Sequence, residues 1–433
     1  MFCVYKKNLV MAMQKRPFVS NEKLREIAAQ FPTPFHLYDE AGIRRTARAV
    51  NEAFSWNEGF CEYYAIKACP NPFILKILKE EGCGVDCASI PELMLAEAVG
   101  FSGEKIMFSS NETRPEEFQY ARKLGAIINL DDITHIDFLE KHAGLPEKVC
   151  LRFNPGGDLT IGGTCMGYPE EAKYGMTRHQ IFEAARTLSK RGVKSFGLHA
   201  LLASNATEKY YYPENASLLF QLAADIRAEL NVDIFMVNLS GGVGIGYLPK
   251  EETPDIGPIG AEIYGEFQKI LVPAGLGHVR VAAELGRYVT GPHGCLVATA
   301  IHAKHIYREY IGLDACAVDL MRPAIYGAYH HITVSGKEDK PADRVYDVVG
   351  SLCENNDKFA IHRRLPKIDM GDLIIIHDTG AHGYSMGYNY NGKLKSAEIL
   401  LHPDGTFDMI RRAEKPSDYF ATFDFCDLMK DYK

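Results

Sequence analysis

Three short stretches carry residue types that could do chemistry. The first is "EYYAIKACPNP" (62–72), an apolar run that ends in Lys67 and is followed at once by the turn residues Pro70, Asn71 and Pro72. A lysine at that place either snorkels its charge into solvent or is held indoors for its reactivity. The second, "NLSGGVGIGY" (238–247), packs Gly241, Gly242, Gly244 and Gly246 into one loop, which lets backbone N–H groups face an anion with no Cβ in the way. The third, "AAELGRYVTGPHG" (282–294), closes a strand-like run with Glu284, Gly286 and Arg287. Glu284 could bond a protonated ring nitrogen, while the Gly286 and Arg287 amides complete an anion site. Taken singly, a glycine cluster is often a tight turn and a strand-end lysine often snorkels. Together, an imine-forming lysine, a phosphate loop and an inward acid describe a site for pyridoxal phosphate. Burial is expected to lower the Lys67 pKa and leave the amine neutral.

The second part of the chain adds candidates. "VDLMRPAIYGAYHH" (318–331) places Arg322 just before Pro323 and Tyr326 four residues on, and the arginine fork suits a carboxylate. "VVGSLCENNDKF" (348–359) sets Cys353 and Glu354 after an apolar strand; a cysteine is more often a small buried residue than an acid unless a site partner activates it. "GYSMGYNYNGKL" (383–394) clusters aromatics, Tyr390 among them, in a loop. His330 and His331 on a strand face opposite sides, which argues against a paired metal site, and no metal is expected.

These residues need elements to position them. From about residue 38 to 290, short apolar runs alternate with longer amphipathic stretches, the order of parallel strands linked by crossover helices. Eight strands are predicted, at 62–66, 84–86, 106–109, 126–130, 149–154, 196–202, 236–239 and 280–284, which suggests a (β/α)8 barrel. Helices are predicted at 91–99, 115–124, 178–191 and 214–230, with Gly100, Gly125 and Gly192 as stops. In a barrel the active site lies at the C-terminal ends of the strands, so the polar groups there are the candidates: Lys67, Asp86, Ser89, Asn154, His199, Ser204, Gly241, Gly242, Glu284 and Arg287. After residue 290 period-two runs broken by turns predict a C-terminal β domain, with a hairpin at "HPDGTF" whose Asp404-Gly405 suits positive φ at both central residues. The division is 1–34 as an N-terminal extension and lead-in, 35–290 as the barrel and 291–433 as the β domain.

Composition is that of an ordinary globular chain: 433 residues, 46% hydrophobic and 24% charged, with a net charge of −8 spread along the sequence. No basic stripe points to nucleic acid and no apolar run of membrane-spanning length occurs, so the expected ligand is small. Eleven cysteines at irregular spacings, without a secretory leader ahead of them, read as reduced thiols of a cytoplasmic protein.

In order and spacing, "YAIKACPNP", "GVDCASIPEL", "LRFNPG", "KYGM", "NLSGGVGI", "ELGR", "LMRPAIYGAYH", "CENNDKF" and "NYN" resemble the diaminopimelate decarboxylases of the alanine-racemase-like, fold type III class of pyridoxal phosphate enzymes. The resemblance runs from about Thr33 to Phe423. It implies a homodimer whose β domain also takes in an N-terminal strand, "FHLYD" (35–39), and an active site shared between one subunit's barrel and the other's β domain. Carried onto this sequence, Lys67 is the Schiff-base lysine and Glu284 the pyridinium partner. Ser204, Gly241, Gly242, Gly286, Arg287 and Tyr390 surround the cofactor and its phosphate, with Arg287 and Tyr390 also near substrate. Arg322, Tyr326 and Glu354 grip the far end of the substrate, Cys353 is the proton donor, and the partner subunit supplies Cys353 and Glu354. The implied reaction converts meso-diaminopimelate to L-lysine and carbon dioxide.

Three departures stand out. Leu201 sits where the family has a histidine stacked on the cofactor, Asn355-Asn356 alter the loop after the Cys-Glu pair, and Lys395-Ser396 replace the usual Arg-Pro before Ala397-Glu398. Decarboxylases of ornithine, arginine or carboxynorspermidine are the neighbouring alternatives. Against those for basic diamines, Arg322 favours an amino-carboxylate end. A non-catalytic regulatory homologue would be expected to lose Lys67, the glycine loop or Glu284, and all three stand.

Overall fold

A computed structural model of the chain describes residues 15–157 and 168–424. Most of the first sixteen residues, expected to be a loose extension, lie outside the described residues.

Strand β1 (Phe35–Asp39) comes first, and eight parallel strands follow: β2 (Cys61–Ala65), β3 (Gly84–Cys87), β4 (Ile106–Ser109), β5 (Ile127–Leu130), β6 (Lys148–Arg152), β7 (Ser195–His199), β8 (Asp233–Asn238) and β9 (Arg280–Ala283). They close into a barrel when β2 pairs with β9. All eight predicted strands are present, shifted by a few residues at their ends. The crossover helices follow from glycine and proline punctuation. Pro115 opens the helix Pro115–Leu124, and Gly125, at φ 72°, ends it. Alternation along β2 sorts its side chains. Cys61 and Tyr63 join a small cluster inside the barrel with Met107, Ile127, Cys150 and Ala282, whereas Tyr64 and Ile66 pack outward against the helices.

The remaining strands, β10 (Gly294–His305), β11 (Glu309–Leu313), β12 (Ile332–Val334), β13 (Arg344–Val349), β14 (Lys358–Leu365), β15 (Leu373–Ile376), β16 (Ala397–Leu401) and β17 (Phe407–Arg411), build a second, mixed sheet. β1 belongs to this sheet: it runs antiparallel to β10 and parallel to β16. The barrel's own elements therefore start at the helix Glu40–Ala53. The hairpin at "HPDGTF" forms, but with a different turn. His402 N–H donates to the Thr406 carbonyl at 2.8 Å, and of the Asp404-Gly405 pair only Gly405 has positive φ, so the loop is the three-residue kind with one left-handed position.

The two units are clamped together behind Lys67. Fully buried Glu398 of β16 accepts from Tyr38 Oη (2.6 Å) and Asn71 Nδ2 (3.0 Å) and pairs with Arg411, whose Nη2 also donates to the Pro70 carbonyl at 3.0 Å. The Ala68 carbonyl accepts from His382 N–H (2.9 Å) and Ser385 Oγ (3.2 Å). The turn that follows Lys67 is thus held at both ends by the second sheet.

Candidate active site

Barrel register gathers a polar arc at the C-terminal mouth. Arg152, His199 and Asn238 are the last residues of β6, β7 and β8 and are cross-strand partners, Arg152 with His199 and His199 with Asn238. Asp86 of β3 pairs with Ala65 of β2, two residues before Lys67. Lys67 lies in a short 3-10 turn (Ile66–Ala68) rather than on the strand itself. Lys67, Asp86, Arg152 and His199 line one cavity of about 740 Å³, with Ser204, Gly241, Gly242, Glu284, Gly286, Arg287, Arg322 and Tyr326 also on its wall.

Glu284 is the most heavily held group. It is buried, accepts from Asn238 Nδ2 and Ser240 Oγ, both at 2.8 Å, and lies 3.4 Å from His199 Nε2. Burial alone would raise its pKa, but His199, Lys67 and the Ser240 bond outweigh it and hold the carboxyl well below its ordinary range. His199 is pushed down by burial, so near neutral pH it is an uncharged imidazole donating Nε2–H to Glu284. It is buried at the base of the cavity, and Leu201, two residues on, also lines the wall.

Lys67 departs from the expectation of a lowered pKa. Burial does act to lower it, yet the Asp86 carboxylate, 3.6 Å from Nζ, and Glu284 more than offset this, and the pKa is raised. The side chain is 52% exposed because it opens into the cavity, and the apolar residues Tyr64 and Ile66 face away from it. Neighbouring charge, not strand hydrophobicity, decides the state of this amine.

The glycine loop passes over Glu284 at a distance only glycine allows. A Cβ on Gly241 would lie 2.6 Å from the Glu284 carbonyl oxygen; Gly242, at φ 108°, would drive one to 2.5 Å from Tyr211 Oη. The Gly286 N–H does not face the cavity as expected, since it donates to the Glu284 carbonyl at 3.0 Å. On that wall the groups that could hold an anion are side chains: Arg287 Nη2 donates to Ser204 Oγ (3.4 Å) and its Nη1 to Tyr247 Oη (2.6 Å).

Arg322, buried at the start of the helix Arg322–Tyr326, is held by His330. The His330 Nδ1–H donates to the His377 carbonyl (2.8 Å), which leaves Nε2 to accept from Arg322 Nη1 (2.9 Å). The Arg322 guanidinium also lies over the Tyr247 ring, 4.8 Å from its centroid. His331 points elsewhere, toward Tyr329 and His377, and among the described residues no group of three metal-ligating side chains occurs.

Cys353, Glu354 and Tyr390 are not on this cavity wall. Cys353 and Glu354 are exposed and Tyr390 is 45% exposed, on two loops tied together where Cys353 N–H donates to Asn391 Oδ1 at 2.7 Å. Sequence reasoning missed Asn238, Ser240, Tyr247 and His330 as site groups. The Asn-x-Ser before the glycines was the available signal for the first two; nothing local marks the others, which work through contacts distant in sequence. Arg152 was missed as well. It pairs with Asp131 (3.0 Å), which also accepts from Asn111 Nδ2 (2.9 Å), and its guanidinium lies 4.5 Å from the Tyr174 centroid.

The donor set suits a flat, phosphorylated aldehyde with a basic ring nitrogen. It offers an amine, an ionised buried carboxylate, and a hydroxyl-guanidinium pair beside a loop without side chains. Residues 40–291 match the family model described as "Pyridoxal-dependent decarboxylase, pyridoxal binding domain". The chain is 39% identical to Protein TabA of Pseudomonas amygdali pv. tabaci, covering 92% of each. It is 33% identical to the diaminopimelate decarboxylase of Methanothermobacter thermautotrophicus, covering 91% of this chain and 92% of that one. Among solved structures, diaminopimelate decarboxylase from M. jannaschii in co-complex with L-lysine superposes with a TM-score of 0.84 at 28% identity, covering 92% of this chain and 93% of the other.

Proposed function

This chain belongs to the pyridoxal-dependent decarboxylases, with pyridoxal phosphate as cofactor, and from that premise we propose that it releases carbon dioxide from meso-2,6-diaminopimelate to give L-lysine. The observation that carries the substrate choice is Arg322, a buried guanidinium aimed by His330 on the wall that also holds Lys67 and Glu284. A fork of this kind favours a substrate whose far end bears a carboxylate. The diaminopimelate decarboxylases among the relatives, one of them solved with L-lysine, support the same reading.

Pyridoxal phosphate, when bound, supplies an electron sink for the bond cleaved at the substrate's α-carbon. Lys67 would hold it through Nζ. Glu284, kept ionised and oriented by Asn238, Ser240 and His199, would bond the ring nitrogen. Ser204, Arg287 and the Gly241-Gly242 loop hold the phosphate, and Leu201 covers the site by apolar contact and keeps water out. Tyr326 flanks Arg322 at the distal carboxylate. Cys353, Glu354 and Tyr390 reach the site from a second copy of the chain in a homodimer, where the Cys353 Sγ–H delivers the proton that replaces the departing carboxylate. Two features support the dimer. The three residues form one exposed patch on tied loops, and the β10–β11 hairpin projects Ile301, Ile306 and fully exposed Tyr307 away from the core.

One observation favours a second reading, decarboxylation of a different amino acid: identity to Protein TabA exceeds that to the diaminopimelate decarboxylase above. Carbon dioxide release from meso-diaminopimelate, ornithine, arginine and carboxynorspermidine, assayed side by side, separates the two. The first reading expects turnover of meso-diaminopimelate with L-lysine as product, and an Arg322→Met variant whose KM rises about tenfold or more. Turnover of another acid without turnover of meso-diaminopimelate rejects it.

A further inference from the structure

We propose that Asp86 is the base that takes the proton from Lys67 and makes its amine a nucleophile. The inference rests on the reading of Lys67 as the residue that holds the cofactor, and it addresses a difficulty that the site geometry creates. Asp86 and Glu284 stabilise the ammonium form of Lys67, and an ammonium has no lone pair with which to attack a carbonyl. Some group within reach must remove a proton.

Asp86 is placed to do so. Its Oδ2 is 3.6 Å from Lys67 Nζ, the register of β2 with β3 fixes the two side by side, and both line the cavity. Its Oδ1 is buried with no hydrogen-bond partner among the described residues. The groups around it favour an uncharged carboxyl. Burial acts first, Glu284 across the mouth and Glu92 on the helix Ile90–Val99 behind it add negative charge, and only Lys67 and a bond from Ser109 oppose them, so its pKa is raised well above the ordinary value. Glu92 is itself pushed up by burial, and its Oε2 accepts the Ala88 N–H at 2.6 Å; neighbouring Cys87 is a thiol raised by burial; Arg152 opposes the Lys67 charge.

The step is balanced. One N–H bond of Lys67 breaks, one O–H bond of Asp86 forms, and an ammonium–carboxylate pair becomes an amine–carboxylic acid pair with the same net charge. Asp86 is buried, so its carboxylate loses a desolvation penalty when it takes the proton, which lowers the cost of that exchange.

The test uses apoenzyme mixed with pyridoxal phosphate, with covalent capture by Lys67 followed by visible absorbance and by borohydride trapping with peptide mapping, between pH 7 and 9. In the wild type, internal transfer makes the capture rate nearly flat with pH, because the proton moves within the pair and the proportion of its two forms is independent of pH. Loss of the proton to solvent instead makes the rate rise about tenfold per pH unit, and that slope overturns the proposal. Asp86→Asn gives a second discrimination. If Asp86 is the base, capture at pH 7 slows about tenfold or more, the deficit shrinks as pH rises, and Asp86→Glu recovers most of the rate. If Asp86 only stabilises the ammonium, removing its charge frees the amine and capture becomes faster; a faster or unchanged rate overturns the proposal. Capture mapped to a residue other than Lys67 would instead reject the underlying reading of the site.

Discussion

At the scale of single residues, position was legible and ionisation was not. Lys67, Glu284, Arg287 and Arg322 were recognisable because each follows an apolar run or precedes a turn, and all four line the one cavity. The state of Lys67 was misread because a sequence reports the hydrophobicity of chain neighbours, whereas the deciding charges come from β3 and the end of β9. Glu62 makes the same point. It reads as part of the apolar strand, yet it is a fully buried acid whose Oε1 accepts the Leu285 N–H at 2.6 Å and whose Oε2 has no partner among the described residues. Burial, partly offset by that bond, raises its pKa from 4.5 to about 8. Between those values the folded chain binds more protons than the unfolded chain, so this residue makes stability fall as pH rises. Glu62→Gln keeps the shape and removes the titration. The melting temperature of the wild type is expected to drop further than that of the variant between pH 6 and 8.5; equal drops would show that Glu62 does not titrate in this range.

At the scale of elements, the eight barrel strands were readable because each is a short apolar run between turn signals, and the glycine loop because four glycines crowd one strand end. Strand β14 (Lys358–Leu365) was not. Its sequence, KFAIHRRL, ends in charge, and His362 sits at φ 50°, interrupting the alternation that marks a strand. The turn at Asp404-Gly405 was placed correctly and given the wrong type, since loop length is set by how β16 and β17 pair, not by the dipeptide. The glycine loop also has a measurable requirement. Gly242→Ala would place a side chain at φ 108° against Tyr211, a strain of about 1–3 kcal/mol. Relief by displacement would move the loop off Glu284, so the variant is expected to bind pyridoxal phosphate at least tenfold more weakly in a fluorescence titration. Unchanged affinity would mean that the loop does not shape the cofactor site.

At the scale of the whole molecule, the second sheet is more than an appended domain. Glu398, Arg411, His382 and Ser385 brace the turn after Lys67, so Lys67 is positioned partly by groups more than 300 residues later in sequence. No local pattern could announce that dependence. Loops of the same domain leave Cys353, Glu354 and Tyr390 exposed and off the wall of their own chain's cavity. A homodimer with shared sites therefore makes an unusual forecast: inactive Lys67→Ala and Cys353→Ala chains, mixed and allowed to exchange subunits, should regain about a quarter of wild-type activity, because half the dimers are mixed and each mixed dimer has one intact site. No recovery despite confirmed exchange would place both residues in one chain's site or remove Cys353 from the reaction. The proposed chemistry depends on Lys67 carrying the cofactor, and one measurement addresses that directly. Purified protein loaded with pyridoxal phosphate is reduced with borohydride, digested and mapped by mass spectrometry. The expected result is a single stoichiometric modification on Lys67, absent in Lys67→Ala; a modification on any other lysine, or none, would contradict the account.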